Sequence, residues 1–466
     1  MSEVAASPRS VAELDLKALA AEVVARAVKA GATDAEAVVS EGDEFSVSVR
    51  MGEVETLQES GSRGMGLRVF MGKRSASAST SDLTLDGIEQ LVSGAMALAG
   101  VTEEDAFAGL PDEADFGQVE SDLHLYFEDV YSLPGAERID LARRAEAAAL
   151  AADPRITNSQ GGHFDAATGR KVLANSRGFL GEYRSSYCGI SSAPLAMDSD
   201  GQMQRDFWSS SARRLADLES PESIGQEAAR RALRRLGARR VPTQRVPIVF
   251  SPEVARSLIG HLFEAASGDS IWRSASFLAG QLGENIAAPN ITIIDDHTMI
   301  LPCGVGGFGT SPFDGEGLPA RRTTVVENGV LKTYLLNTYT ARKLQLRSTG
   351  NATRGLAGSP GIGSGNLYLV PGTQTPEQIL SEIPAGLYVT SLMGFGANIV
   401  TGDYSRGASG LWIENGELTH AVEEVTIAGN LREMLRNITA IGNDLVFRSS
   451  AAAPTLRVDG MTVAGA

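Results

Sequence analysis

Cysteine is nearly absent from this chain. Cys188 and Cys303 are the only two in 466 residues, too few for a disulfide framework, and their spacing does not suggest a zinc knuckle. Histidine is scarce as well: His124, His163, His261, His297 and His420 are scattered without ligand spacing. No run of about 18 apolar residues offers a membrane span. The start, MSEVAASPRS, lacks the apolar core of a signal peptide. Together these absences predict a cytoplasmic protein with no membrane partner. Positive charge is also short. Lys and Arg total 41 against 57 Asp and Glu, a net charge of −16. Such a surface repels phosphate backbones and argues against nucleic-acid binding. One basic run, ARRALRRLGARR at 229–240, opposes that trend. Its Arg230, Arg231, Arg234 and Arg235 read as one solvated face of an amphipathic helix.

What is plentiful is glycine, 51 residues, which serves tight turns and close backbone approaches. At roughly 150 residues per domain, the length suggests two or three domains. Leu16, Leu19, Ala20, Val23 and Ala27 share one face of a helix over 11–30. The period then becomes two: Phe45, Val47 and Val49 alternate with polar residues, and Met51-Gly52 reads as a turn. Residues 66–80 read as two strands about Gly72. Helices follow at Leu85–Ala95, at about 135–152 and at 222–237, and a hairpin turns at 175–178. The segment 237–247 carries two Pro and little apolar content, and it divides the chain into 1–240 and 241–466. After it, short strands are punctuated by glycine. Asn-Gly pairs at 328–329 and 415–416 each predict a hairpin, taken as parts of one sheet or barrel. The expected fold class is α+β, with an antiparallel sheet and helices in the N-terminal domain and a β-rich, barrel-like C-terminal domain.

Several stretches approach a chemical motif without completing it. GHLFEAASGD, 260–269, places His261 and Glu264 at i,i+3 on one helix face. Two groups do not make a catalytic zinc site, which needs three protein ligands and a water. The pair therefore reads as lining a cavity or an interface. GMGLRVFMG, 64–72, has its third glycine misplaced for a dinucleotide loop. GVGGFGTS, 304–311, lacks the lysine of a phosphate loop and reads as a flexible loop. Cys303 lies near Asp296-His297, which leaves a Cys–His nucleophile open, and no G-x-S-x-G elbow occurs. Asp314 and Glu316, in SPFDGEG, read as a solvated turn.

Longer stretches resemble a known family. They are FDGEGLPARRTTVVENGVLKTYLLNTYTARKL at 313–344, STGNATRG at 348–355, GNDL at 442–445 and PTLRVDGMTVAG at 454–465. In the first half GSRGMGLRVFMGKRSASAST and NSRGF belong with them. This set is similar to the TldD/PmbA family over nearly the whole chain. The resemblance implies two kinds of subunit. One carries H-E-x-x-x-H on a helix and a Cys near the C-terminus as zinc ligands; the other lacks them. Aligned on Gly268-Asp269, the ligand and base positions fall here on Ile259, Gly260 and Glu264, and no Cys follows Gly442. The resemblance thus implies a metal-free subunit with no catalytic residue and no cofactor of its own. Zinc is expected in a TldD-like partner of a heterodimeric peptidase. The implied substrates are extended, unfolded peptides, as in maturation of ribosomally made antibacterial peptides and turnover of antitoxins. Strand addition would suit such substrates. Candidate substrate-binding residues are His261, Glu264, Met393, Gly394, Phe395 and Gly396, the glycines admitting a close backbone. Two other readings stay open: a regulatory protein-binding role, since the family carries a gyrase-modulator label, and an autonomous Cys or Ser hydrolase.

Overall fold

The computed structural model describes residues 15–465. α1 (Leu16–Lys29) begins where the Asp15 carboxylate accepts the Ala18 amide, and it buries Leu16, Ala20, Val23, Val24 and Ala27 on one face. Positions 11–14 of the expected helix lie outside the described residues. The period-two stretch becomes β1 (Asp34–Arg50), which turns through Met51-Gly52, both at positive φ, into β2 (Glu53–Met71). β3 (Arg74–Thr80) follows, then α2 (Leu85–Val101), capped by the Thr84 hydroxyl. After α3 (Asp129–Ser132) and α4 (Gly135–Ala151) come the long hairpin strands β4 (Ile156–Asn175) and β5 (Leu180–Met197). Short β6 (Met203–Arg205) and β7 (Trp208–Ala212) precede α5 (Pro221–Leu233).

These strands form one seven-stranded antiparallel sheet, ordered β3-β2-β1-β4-β5-β6, with β7 also on β5. Helices cover one face. Ala37, Val39, Met65 and Leu67 share a core with α1 and α2, and Phe45, Val47 and Phe164 share one with Ala142 of α4. Alternate residues point the other way, because side chains change face at every step of a strand. There Val38 and Leu173 meet Phe313 from the second half of the chain.

That second half opens with β8 (Gln244–Phe250), α6 (Pro252–Ala266) and one-turn α7 (Gly268–Trp272). β9 (Ile293–Asp296), β10 (Arg322–Glu327), β11 (Val330–Leu331) and α8 (Thr338–Leu344) come next. Small β12 (Ala352–Thr353) and β13 (Gly361–Ile362) pair with each other, and β14 (Asn366–Leu369) and α9 (Pro376–Ser381) follow. The last elements are β15 (Ala385–Met393), β16 (Asp403–Glu414), β17 (Glu417–Asn430), α10 (Leu431–Arg436), β18 (Ile438–Ile441), β19 (Ala451–Ala452) and β20 (Leu456–Ala464). β17, β16, β15, β8 and β20 pair in that order, and β17 pairs with β20 to close a five-stranded barrel. A second sheet runs β11-β10-β9-β14-β19. α6 shares a core with both: its Leu258, Ile259 and Leu262 cluster with Ile248 and Val389 of the barrel and with Ile293 and Leu367 of the sheet. Burying each such side chain stabilises by about 1.5–3 kcal/mol.

Three expectations are corrected. The two Asn-Gly turns do form, each with both residues at positive φ, but they join different sheets: β10–β11 and β16–β17. The dipeptide fixes a hairpin and says nothing about the sheet it enters. The basic helix is not one solvated face. Arg231 is buried, lies 3.5 Å from both Asp206 and Glu253, and stacks 4.8 Å from the Trp208 ring centroid. It sits where α5 meets α6, so charge alone misled the assignment to solvent. The glycine loop 304–311 is pinned rather than flexible. Buried Arg213 donates to the carbonyls of Gly306, Gly307 and Phe308 at 2.8, 2.7 and 3.2 Å. A Cβ on Gly309 would lie 2.2 Å from the Gly365 carbonyl, so its glycines serve close packing. Among the described residues, no helix is long and apolar enough to cross a membrane.

Candidate functional site

α6 starts at Pro252, whose ring suits a first helical turn, after Ser251. Its apolar face is fixed by Leu258, Ile259, Leu262, Ala265 and Ala266, all buried. His261 is left at the border of that face, with its side chain 19% exposed. The ring stands edge-on to Tyr404, 6.1 Å between centroids. Glu264 Oε2 lies 3.8 Å from His261 Nδ1, and the Glu264 side chain is 60% exposed. Neither ring nitrogen of His261 has a hydrogen-bond partner. Burial lowers the His261 pKa, Glu264 works against that, and Arg406 adds to it. The imidazole is therefore neutral at pH 7, and its contact with Glu264 is not an ion pair. The Tyr404 hydroxyl is also buried without a partner, and burial pushes its pKa up to about 12.

The second group of candidates lies beside the first. β15 ends at Met393, which pairs with Gly407, and Ala397 bridges to Tyr404. Residues 394–402 thus fold back onto the start of β16. Gly394 has φ +77 with open space where a Cβ would be. Phe395 is fully exposed. Gly396 differs from the expectation. A Cβ there would lie 1.6 Å from the Ser405 carbonyl oxygen, and the Ser405 amide donates to Gly396 O at 2.6 Å. The close approach that this glycine permits is taken up by the chain itself. Through Tyr404, the structure brings His261 and Met393–Gly396 to one end of the barrel.

A zinc ion does not fit the residues of this helix. Ile259 is 1% exposed in the core, Gly260 has no side chain, and Glu264 faces solvent. Among the described residues, no group of three or more His, Cys, Asp or Glu side chains could hold a metal ion. The Cys–His alternative does not assemble either. Cys303 is exposed, whereas His297 is buried, with Nε2 3.1 Å from Asp295 and 3.2 Å from Asn351 Nδ2.

The turn at 311–317 is the largest departure from the sequence reading. Asp314 and Glu316 are 5% and 2% exposed, not solvated. Asp314 accepts the amides of Glu316, Leu318 and Ala352 at 2.9, 3.0 and 3.1 Å. Glu316 accepts the Thr338 amide at 2.8 Å. Burial raises both carboxyl pKa values, and the charge of Asp314 helps to push Glu316 to about 7. Nearby, buried Glu36 meets two guanidinium groups, Arg68 and Arg354, each at 2.5 Å. A signal for this cluster was present in the sequence. Glu36 and Arg68 are single charges inside the apolar runs Ala35–Val39 and Leu67–Phe70.

A helix-backed antiparallel sheet joined to a small barrel, with α6 packed inside the second half, defines the class. Sequence models of the PmbA/TldA metallopeptidase match throughout: domain 1 at 35–99, the central domain at 128–236 and the C-terminal domain at 243–465. The chain belongs to the PmbA/TldD metallopeptidase family. It is 40% identical over 431 residues to Metalloprotease PmbA of Escherichia coli O157:H7, covering 92% of each chain. A Metalloprotease PmbA homolog of Haemophilus influenzae is 37% identical, covering 97% of each. Of solved structures, a proposed modulator of DNA gyrase from Bacteroides thetaiotaomicron superposes with TM-score 0.89 at 27% identity, covering 97% of this chain and all of that one. TldE from Thermococcus kodakarensis shares the fold at TM-score 0.82 and 21% identity, covering 95% and 99%.

Proposed function

We propose that this chain is the metal-free, TldE-type subunit of a heterodimeric zinc metallopeptidase. Its partner is a TldD-like subunit that carries the zinc, and the pair hydrolyses extended, unfolded peptides in the cytoplasm. Maturation of ribosomally made antibacterial peptides and turnover of antitoxins are the substrate classes that suit it. The observation that carries this reading is the state of α6. α6 is packed into the core, and Ile259, which the family resemblance aligns with a zinc-ligand position, is a core residue at 1% exposure. A peptidase cannot lose metal, activated water and base together and still cleave amides by that route. What remains for this chain is to complete the substrate groove.

His261, Glu264 and the loop Met393–Gly396 form this chain's share of that groove. Exposed Phe395 supplies an apolar contact, and Gly394 leaves room for a substrate backbone. Reconstitution with the zinc-bearing subunit tests the reading. His261→Ala should leave peptidase activity within about tenfold, ~1.4 kcal/mol in the barrier. A folded, assembled His261→Ala complex that loses a thousandfold, ~4 kcal/mol, would make His261 catalytic and overturn it.

A further inference from the structure

The helix-free face of the N-terminal sheet meets the second half of the chain around a pocket of about 180 Å³. Its lining mixes two chemistries. Lys171 on β4, Arg354, His297 and the hydroxyl residue Thr353 supply polar groups. Val38, Leu173, Tyr183 and Phe313 cluster as its apolar side, and Phe308 also lines it. Phe313 fixes the apolar side, standing edge-on to Tyr183 with centroids 5.5 Å apart.

The cations here are unevenly matched. Arg354 shares Glu36 with Arg68, so two guanidinium groups meet one carboxylate. Arg354 is 6% exposed, yet its Nε has no hydrogen-bond partner. His297 has Asp295. Among the described residues, Lys171 has no carboxylate within ion-pairing distance; its Nζ donates to the Arg354 carbonyl at 2.8 Å. An ammonium taken out of water with a carbonyl acceptor but no carboxylate, and an arginine Nε with no acceptor, are costly. The one carboxyl in the pocket wall, Asp314, already accepts three backbone amides. Burial lowers the Lys171 pKa, the charge of Arg354 lowers it further, and Asp314 works against both.

We propose that this pocket binds a small carboxylate bearing a short apolar or aromatic tail. The carboxylate lies against Lys171 and Arg354, and the tail lies against Tyr183, Phe308 and Phe313. The pocket holds a group the size of a branched aliphatic acid. A monoanion suits it better than phosphate, because a dianion would set a second charge against Asp314 and leave the aromatic side unused. The site is separate from the α6 groove and does not depend on the peptidase reading.

The test uses the full-length chain alone, with isovalerate and inorganic phosphate as probes at matched ionic strength. Isovalerate should raise the melting temperature and slow acetylation of Lys171 by acetic anhydride at least threefold, read by mass spectrometry. Phosphate should do neither. Lys171→Met should fold and lose the isovalerate shift. If that variant fails to fold, protection of Lys171 in the unaltered chain decides the matter. Lys171 acetylation unaffected by isovalerate, or phosphate protecting as well as isovalerate, overturns the proposal.

Discussion

Glu36 is the residue whose loss should matter most for a single change of charge. It lies on β1 between Ala35 and Ala37, directly across from Arg68 on β2. It is fully buried, while Arg68 and Arg354 are 7% and 6% exposed. Glu36→Gln keeps the shape but removes the one carboxylate that both buried guanidinium groups contact. Each ion pair is worth about 4 kcal/mol at 4 Å separation and an effective dielectric constant of 20. Removing one partner of a buried pair costs about 3–5 kcal/mol, because the remaining charge stays desolvated. Arg354 comes from the second half of the chain, so the loss falls on the packing of that half against the sheet. Urea and thermal unfolding of Glu36→Gln should show a destabilisation of that size, on the order of 5–10 °C in melting temperature. Replacing all three residues by apolar ones of similar volume should recover most of it. A Glu36→Gln chain within about 1 kcal/mol of the parent would refute the reasoning, since it would mean that the cluster is solvated.

Other outcomes follow from the same geometry. Glu316 has its pKa raised from 4.5 to about 7, so the folded state holds its proton more tightly than the unfolded state does. Its stabilising contribution is full below pH 4.5 and is lost as pH rises through about 7. Glu316→Gln should flatten that part of the stability profile and exceed the parent at pH 8, by on the order of 2–3 kcal/mol; an unchanged profile counts against a buried, protonated Glu316. Gly66→Ala would place a Cβ 1.7 Å from the Leu356 carbonyl oxygen. Urea denaturation should register a loss of about 1–3 kcal/mol, and a neutral result would mean that this loop does not rest on β2.

The parts of the fold legible in the sequence were those decided locally. Period-two and period-3.6 patterns placed β1, α1 and α2, and the Asn-Gly pairs placed two hairpins. Whether those hairpins share a sheet is a long-range matter, and no dipeptide encodes it. Burial of charge was the main failure. SPFDGEG looks like a solvated turn because its composition is that of one. Its carboxyl groups are inside because the backbone amides of Ala352 and Thr338 come to them from elsewhere in the chain. Arg231 and Arg213 were hidden in the same way, since a charge run and a glycine loop do not show that an arginine is buried among acids or carbonyls. At the candidate site, ligand arithmetic on α6 needed only sequence. The neighbours of His261 did not: Tyr404 lies 143 positions away, on β16, and meets it only in the folded chain.

The most direct test of the central claim is the zinc content and peptidase activity of this chain, alone and with the TldD-like subunit proposed to carry the zinc. After dialysis against trace zinc, the isolated chain should hold far less than one zinc per molecule and cleave no unfolded peptide. The assembled pair should cleave it, and mutation of the partner's ligands should abolish that activity. About one tightly held zinc per isolated chain, or peptide cleavage by it alone, would contradict the account.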